Sequence, residues 1–353
     1  RVTATVGTPP PPPPPTGTTY GTITAFALPA LAGAPYSTLT SSKHTNMAYS
    51  PLTNRLYVSG GDWVSSATDG TWSMSLVDGS WRKDVGDPVY PSLPAPHAAQ
   101  DGMGFVWMPA RNQFVFWPGS YFAYEPAGSP ILNYAKGTWF FNPATNTWTQ
   151  QLGLFGSAGA RSGSVHGGVY DEVNDHLVVL LDNSSGGPAV RRWSLSTMAQ
   201  LPNLPITIAT PPGKPAHSGN AFTNTLYTKI GREVFVVGFS HDGNGPSSQV
   251  PRAWKWHLDA HTFTQIAAPP VTGSQMREIE TRLGNSHGKV VWPFHSGPDG
   301  ELHGIYVYNP ATNQWAVDTQ VPGYGNFIGN AVTSLPDGRV AFSGGVFGRQ
   351  QTH

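Results

Sequence analysis

The chain has 353 residues with 20 acidic and 20 basic side chains, and its scattered Lys and Arg residues do not form the basic stripe that nucleic-acid binding requires. No apolar run approaches the roughly 18 residues of a membrane-spanning helix, and the absence of cysteine excludes disulfides, thiol nucleophiles and thiolate metal sites. The 41 Gly and 34 Pro residues lie between short apolar runs, which predicts an all-β protein of many short strands.

The first predicted element is an extended arm, residues 1–17. Pro9 to Pro15 are seven consecutive prolines, which form a polyproline II rod of roughly 20 Å at 3.1 Å per residue. One interpretation is a stiff spacer to an upstream domain, whose last strand would be RVTATV. The other is an assembly element that adds as a strand to the sheet edge of a neighbouring molecule. The strand residues would then be Val2, Ala4 and Val6.

Six similar units are predicted along residues 18–353. Each unit has an apolar strand, a turn, a second apolar strand ending near Gly, a variable loop, an aromatic strand, and a turn followed by an aromatic residue. The phrase NPATN begins at Asn142 and again at Asn309, and each time a Trp stands two positions after it. The phrase is therefore predicted to mark the turn before the outermost strand of units two and five.

This order of features resembles the kelch repeat of β-propellers, in the galactose-oxidase-like central-domain superfamily, over residues 18–353. The resemblance implies a six-bladed propeller. The last unit lacks a fourth strand, so the resemblance also implies that an N-terminal strand at Thr22–Ala27 completes the blade containing Arg339–Gly345. The copper cofactor of galactose oxidase requires a cysteine cross-linked to a tyrosine, which this chain cannot form. No cofactor is therefore predicted.

Polar residues precede or begin the innermost strands, and in this family those positions face a central channel. A His there could act as a base, a Glu as an acid, and an Arg could bind a carboxylate. The alternative is a structural role, in which these groups bond to neighbouring blades or to water. The candidate catalytic residues are His97, His166, His217, Glu278 and Arg282. His257 and His261 are four apart in a strand and turn, where such spacing scatters side chains, so no metal site is predicted.

Aromatic residues follow the second strands, where exposed rings could stack on sugars or anchor a protein partner. The alternative is that several of them pack between blades. The candidate binding residues are Trp63, Trp117, Tyr121, Phe122 and Trp292. The loops His241–Gly245 and Gly297–Glu301 combine acidic or amide oxygens with tight turns, which suits calcium or a plain turn.

The sequence leads to two hypotheses about function. The first is a non-catalytic propeller, extracellular or on a cell or virion surface, that binds or assembles through its loops and arm. Its partners would be further copies of the chain, neighbouring surface proteins or glycans, with no nucleic acid and no membrane span. The second is a carbohydrate-active enzyme, a lyase or hydrolase, with its site at the channel mouth.

Overall fold

The computed structural model describes residues 46–59, 71–86, 104–117, 138–151, 168–181, 189–205, 226–241, 249–271, 283–295, 303–317 and 332–342. These residues form an all-β, propeller-like fold, as predicted, with one short 3-10 turn at Pro109–Arg111 as the helical element of this part of the chain. None of the described residues forms a helix with the length and apolar character needed to cross a membrane.

Five blades are built from antiparallel strands that pair in sequence order. Blade one contains β1 (Asn46–Ser50), β2 (Arg55–Ser59), β3 (Thr71–Ser75) and β4 (Trp81–Val85). Blade two contains β5 (Gly104–Met108), β6 (Gln113–Trp117), β7 (Thr138–Asn142) and β8 (Thr147–Gln151). Blade three contains β9 (Gly168–Asp171), β10 (His176–Leu181), β11 (Ala189–Ser194), β12 (Ala199–Gln200) and β13 (Leu204–Pro205). Blade four contains β14 (Leu226–Ile230), β15 (Glu233–His241), β16 (Gln249–His257) and β17 (Phe263–Ile266). Blade five contains β18 (Gly284–Ser286), β19 (Lys289–His295), β20 (His303–Asn309) and β21 (Gln314–Val317).

The predicted number of six blades is corrected to five. The sixth unit contributes a two-stranded sheet, β22 (Val332–Ser334) and β23 (Val340–Phe342), and no third strand pairs with it in the part of the chain that is described. β22 lies between β18 and β1, and the first strands of the five blades follow one another as neighbours. The proposed closing strand Thr22–Ala27 lies outside the described residues.

The repeated phrase NPATN is a turn before the outermost strand in blades two and five, as predicted. The side-chain oxygen of Asn142 accepts a hydrogen bond from the backbone N–H of Ala144 at 2.9 Å, and Asn309 does the same with Ala311 at 3.0 Å. The last asparagine of each phrase, Asn146 or Asn313, has a φ of 53°. Asparagine tolerates this left-handed conformation better than most residues, which explains its place in both turns.

The core is divided into layers that lie between neighbouring blades, because each cluster of buried apolar residues combines side chains from two consecutive units. The layer between blades one and two joins Tyr57 to Phe114 and Phe141, with ring centroids 5.0 and 5.5 Å apart. The layer between blades four and five joins Phe235 to Tyr308 at 5.9 Å. No single sheet therefore has a complete core of its own.

The tryptophan after each NPATN phrase reaches back to the preceding blade. The Nε1–H of Trp148 donates to Oγ1 of Thr71 in blade one at 2.9 Å. The Nε1–H of Trp315 donates to the carbonyl oxygen of Ala267, just after blade four, at 2.7 Å. Each of these residues is therefore both an apolar filler of the layer and a hydrogen-bonded link between two blades.

Adjacent antiparallel strands run in opposite directions, so the turns after the first and third strands of every blade lie on the same face of the ring. We call this the turn face. The last strand of one blade ends, and the first strand of the next blade begins, on the opposite face.

Candidate functional site

Most of the residues singled out from the sequence lie outside the described residues, so the structure does not place them. This holds for the candidate catalytic residues, for three of the five aromatic candidates, for the arm, and for all or nearly all of both candidate calcium loops. The residues concerned are His97, His166, His217, Glu278, Arg282, Trp63, Tyr121, Phe122, Val2, Ala4, Val6, Pro9 and Pro15.

The two remaining aromatic candidates are buried between blades, which is the alternative that the sequence analysis left open beside exposed rings. Trp117 has no exposed surface and packs in the layer between blades two and three. Trp292 also has none and packs in the layer between blades four and five, 5.8 Å from the ring of Tyr306. Both belong to second strands, whose successive side chains point to opposite sides of the sheet; Trp117 faces blade three and Trp292 faces blade four. Neither ring is a surface on which a sugar can stack.

The described residues contain a polar cleft of about 240 Å³ between blades three and four, on the turn face. We call it the 3/4 cleft. Blade three contributes residues from β9, β10, β11 and the β9–β10 turn, and blade four contributes residues from β16 and the turn that follows it. The lining residues are Asp171, Asn174, His176, Val178 and Arg192 from blade three, and Trp256, Leu258, Asp259 and His261 from blade four.

Burial divides the cleft into a floor and a rim. Asp171, Val178, Trp256 and Leu258 are buried and form the floor, which continues into the apolar layer between the two blades. The side chains of His176 and Arg192 are half-buried and form the walls of the cleft. Asn174, Asp259 and His261 are exposed at the rim. The strand register brings these side chains together. Val178 pairs with Arg192, and His176, two positions before Val178, pairs with Asp171. All four side chains therefore lie on one side of the sheet.

Arg232, in the β14–β15 turn, fixes both carboxylates of the cleft. Its guanidinium donates two hydrogen bonds to Asp171, one of them at 3.1 Å, and two to Asp259, one of them at 3.0 Å. Asp171 also accepts hydrogen bonds from the side chain of Asn174 at 2.8 Å and the backbone N–H of Val173 at 3.2 Å. One arginine thus joins blade three to blade four, and a second pair, Lys229 with Glu172, supports the same junction.

These contacts set the protonation of the carboxylates. Burial favours the neutral form of Asp171, but the hydrogen bonds from Arg232 and Asn174 outweigh it and hold its pKa at about 2. The Arg232 guanidinium likewise lowers the pKa of Asp259, and the two carboxylates raise the pKa of Arg232. Both aspartates are therefore ionised at neutral pH, and their charges are shared with one guanidinium.

The two histidines of the cleft are held in their neutral forms. Burial lowers the pKa of His176, and the nearby charge of Arg192 lowers it further, although Asp171 and Asp175 oppose this. Burial and Arg192 lower the pKa of His261 in the same way, against the opposing charges of Asp259 and Asp171. His261 lies flat against Trp256, with centroids 5.9 Å apart and planes 19° apart. A neutral imidazole offers one donor and one acceptor.

Two hydrogen-bond donors of the cleft have no acceptor among the described residues: the Nε1–H of Trp256 and the Nε–H of Arg192. The side chain of Trp256 is 1% exposed, so water does not compensate this donor from outside. Buried donors of this kind cost free energy unless an acceptor reaches them. Both nitrogen atoms are enclosed by protein atoms, so they are not contact points for a ligand in the cleft.

The two aspartates of the cleft are not placed to act as general acids. Hydrolysis or elimination needs a protonated acid and a base within reach of the same bond, and the two carboxylates here are ionised and paired with Arg232. Among the described residues no group of three or more metal-ligating side chains is placed to hold a metal. His257 does not line the cleft, because its Nδ1 accepts hydrogen bonds from the backbone N–H groups of Asp259 and Ala260 at 3.2 Å.

The sequence analysis identified none of the cleft residues as a site. Asp171, His176, Arg192 and Trp256 come from four strands of two blades, and nothing in their spacing along the chain brings them together. His261 was considered only in relation to His257. One local signal was available, since Arg191–Arg192 stands in the third strand of unit three where every other complete unit has an aromatic residue at the first of the two positions.

Comparison with known proteins adds no relative to these observations. No family model matches the sequence, and no curated protein matches it significantly. The propeller architecture therefore stands on the strand pairing described above.

Proposed function

We propose that this chain is a non-catalytic β-propeller, extracellular or on a cell or virion surface, that acts in binding or assembly. The observation that carries the proposal is the 3/4 cleft, a polar cleft whose two carboxylates are already ion-paired with Arg232. The exposed rim residues Asn174, Asp259 and His261 offer hydrogen-bonding groups to a polar ligand. The aspartates of the cleft are ionised and paired with Arg232, so they are not placed to donate a proton to a substrate. The proposal needs no cofactor.

Assembly is the second part of the proposal, and it concerns the arm. In the described part of each complete blade the outermost strand has a hydrogen-bonded neighbour on one side only. Such an edge can accept an added strand from another molecule. We propose that residues 1–17 of one copy pair with a blade edge of the next, with the proline run as a spacer that separates the two propellers.

Closure of the ring is proposed in kelch-like form. β23 pairs only with β22 among the described residues, so Val340–Phe342 offers an edge next to which a strand from Thr22–Ala27 fits. This pairing would cover the hydrogen-bonding groups of the edge and enlarge the two-stranded sheet.

The test compares the intact chain with a variant lacking residues 1–17, by negative-stain electron microscopy and light scattering. If the chain assembles through its arm, the intact chain should form fibres or defined oligomers and the truncated chain should be monomeric. If both are monomeric, the proposal expects the chain to bind a ligand without turning it over. A polysaccharide that the intact chain degrades, with the activity lost in His217→Ala, would contradict it. That result would establish the carbohydrate-active enzyme with its site at the channel mouth.

A further inference from the structure

We infer that the outer edge of β8, in blade two, is the place where the N-terminal arm of a second copy of the chain adds as a strand. This assignment rests on the assembly function proposed above. Within the described residues the outermost strand of every blade has a hydrogen-bonded neighbour on one side only, but the five edges differ in how well they are protected. Natural sheets protect an edge with charged residues, proline, bulges or very short strands. The edge of β8 has none of these devices.

Two of the other edges are protected against an added strand. The outermost strand of blade one, β4, contains Arg82, Lys83 and Asp84, and its register with β3 shifts so that Asp84 has no residue of its own opposite it. In blade three the outer strand is divided into β12 and β13, of two residues each, and Pro202 stands between them. A strand added at either edge would meet charges, a bulge, or a residue without an N–H group.

The edge of β8 is regular and uncharged. Its five residues, Thr-Trp-Thr-Gln-Gln, pair with β7 one for one along the whole strand. The outermost strands of blades four and five, β17 and β21, are also uncharged, but each contains four residues. Among the unprotected edges of the described residues, β8 therefore offers the longest uninterrupted strand backbone.

The side chains of β8 also distinguish it from β17 and β21. Thr147, Thr149 and Gln151 share one side of the strand, which is wholly polar, and they are exposed or half-buried. Trp148, on the other side, belongs to the apolar layer shared with blade one. By contrast, β17 and β21 carry apolar residues on both sides. The edge of β8 is therefore suited to a strand that is polar on one side and apolar on the other.

The arm has the matching alternation. In RVTATV threonine alternates with valine and alanine, so an extended strand carries Thr3 and Thr5 on one side and small apolar residues on the other. Added to β8, the threonines would lie beside its polar side, and the apolar residues would continue the layer next to Trp148. Cross-strand neighbours of these types stabilise sheets. The run from Pro9 to Pro15 has no N–H groups to donate, so the pairing would end before it.

The experiment uses disulfide cross-linking between two full chains. The chain has no cysteine, so two introduced cysteines report one contact without background. Chains with Thr149→Cys are mixed with chains that carry Thr3→Cys or Thr5→Cys and are oxidised gently, and peptide mapping identifies the products. We expect a disulfide between the two kinds of chain in at least one of the mixtures, because neighbouring residues of paired strands lie within disulfide reach. The two arm positions test two registers of the added strand.

Gln265→Cys is the matched control, because Gln265 is an exposed residue at the third position of β17, as Thr149 is in β8. Mixed with the same arm variants, it should give clearly less of the mixed disulfide. A second measurement needs no cysteine. Thr149→Lys places a charge on the edge of β8 and should raise the protein concentration at which oligomers form by about fivefold or more, whereas Gln265→Lys should change it by less than about twofold.

The outcomes separate this inference from the proposed function. Mixed disulfides as abundant with Gln265→Cys as with Thr149→Cys would overturn the choice of β8 and leave assembly through the arm. The same conclusion would follow if neither position is cross-linked and the oligomers are still lost on removal of residues 1–17. A disulfide that forms only within one chain carrying both cysteines would show that the arm covers its own blade. An intact chain that is monomeric at every concentration would overturn the assembly function itself.

Discussion

The link that Arg232 makes between blades three and four can be measured as a free energy of unfolding. In Arg232→Met the apolar stem of the side chain is retained and the guanidinium is removed. Asp171, whose side chain is 3% exposed, then keeps only its hydrogen bonds from Asn174 and Val173. Asp259, with 51% exposure, is rehydrated at little cost. Most of the loss therefore comes from Asp171.

The magnitude follows from the pKa of Asp171. Its pKa is about 2 in the folded chain, against an ordinary value of 3.8, and each unit corresponds to about 1.4 kcal/mol. The lowered pKa thus corresponds to about 2.5 kcal/mol of stability at neutral pH. Without the guanidinium, burial is left to raise the pKa of Asp171, so the expected loss in Arg232→Met at pH 7 is about 2–3 kcal/mol.

The pH dependence has a definite sign. Because the folded pKa is depressed, the contribution is complete at pH values well above 3.8 and is lost as pH falls through about 2; about half of it remains at pH 3. The parent and Arg232→Met should therefore differ most at pH 7 and converge toward acid. Urea unfolding with linear extrapolation at pH 7, 5, 4 and 3 measures this.

Arg339→Met is the control for this series. Arg339 pairs with Asp337 on the surface, with 59% and 50% of the two side chains exposed, so its loss should cost less than about 0.5 kcal/mol. A loss in Arg232→Met as small as that of the control, or equal at pH 7 and pH 3, would refute the reasoning.

Three further predictions concern the packing and closure of the ring. Trp148→Phe should lower the free energy of unfolding by about 1–2 kcal/mol because it removes the hydrogen bond to Thr71, and in a Thr71→Val background the same change should cost less; additive losses would contradict a direct link. Gly104→Ala places a Cβ 1.6 Å from the ring of Trp117, so thermal unfolding should occur about 2–6 °C lower than in the parent, and an unchanged melting temperature would show that the two residues are not in contact. Deletion of residues 18–30 should lower the melting temperature by leaving the edge of β23 uncovered, whereas an unchanged value would rule out the proposed closing strand.

The turns and strands were predictable because their signals are local. An asparagine at the end of NPATN adopts the left-handed conformation whatever lies around it, and the pattern of aromatic strands and turns repeats within each unit. Unit three departs from the repeat pattern because it has no aromatic residue after its last turn. Met198 takes the left-handed position there, and the strand that follows is short and interrupted.

The site and the number of complete blades were less accessible from the sequence. Asp171 and Arg232 are paired across two blades, and |i−j| for this contact is 61, so no local pattern encodes it. The strand pattern of Gln113–Trp117 shows that Trp117 alternates with its neighbours, but it does not say that both sides of the sheet are covered by other blades. The sixth unit repeats only the first two strands of the pattern, and the sixth blade was predicted with an N-terminal strand to complete it.

The backward reach of Trp148 has a consequence for a chain that is still being synthesised. Thr71 and Tyr57 leave the ribosome before the residues of blade two that cover them, and the 77 residues from Thr71 to Trp148 take about 4 to 15 s to translate. During that time blade one carries an uncovered aromatic face. The apolar face of each blade is covered only when the next blade emerges. The nascent chain therefore exposes one apolar face at each stage of synthesis, and this face belongs to the most recently synthesised blade. Chaperones that protect such a chain would need to bind the exposed face of the newest blade, because the layers between earlier blades are already buried.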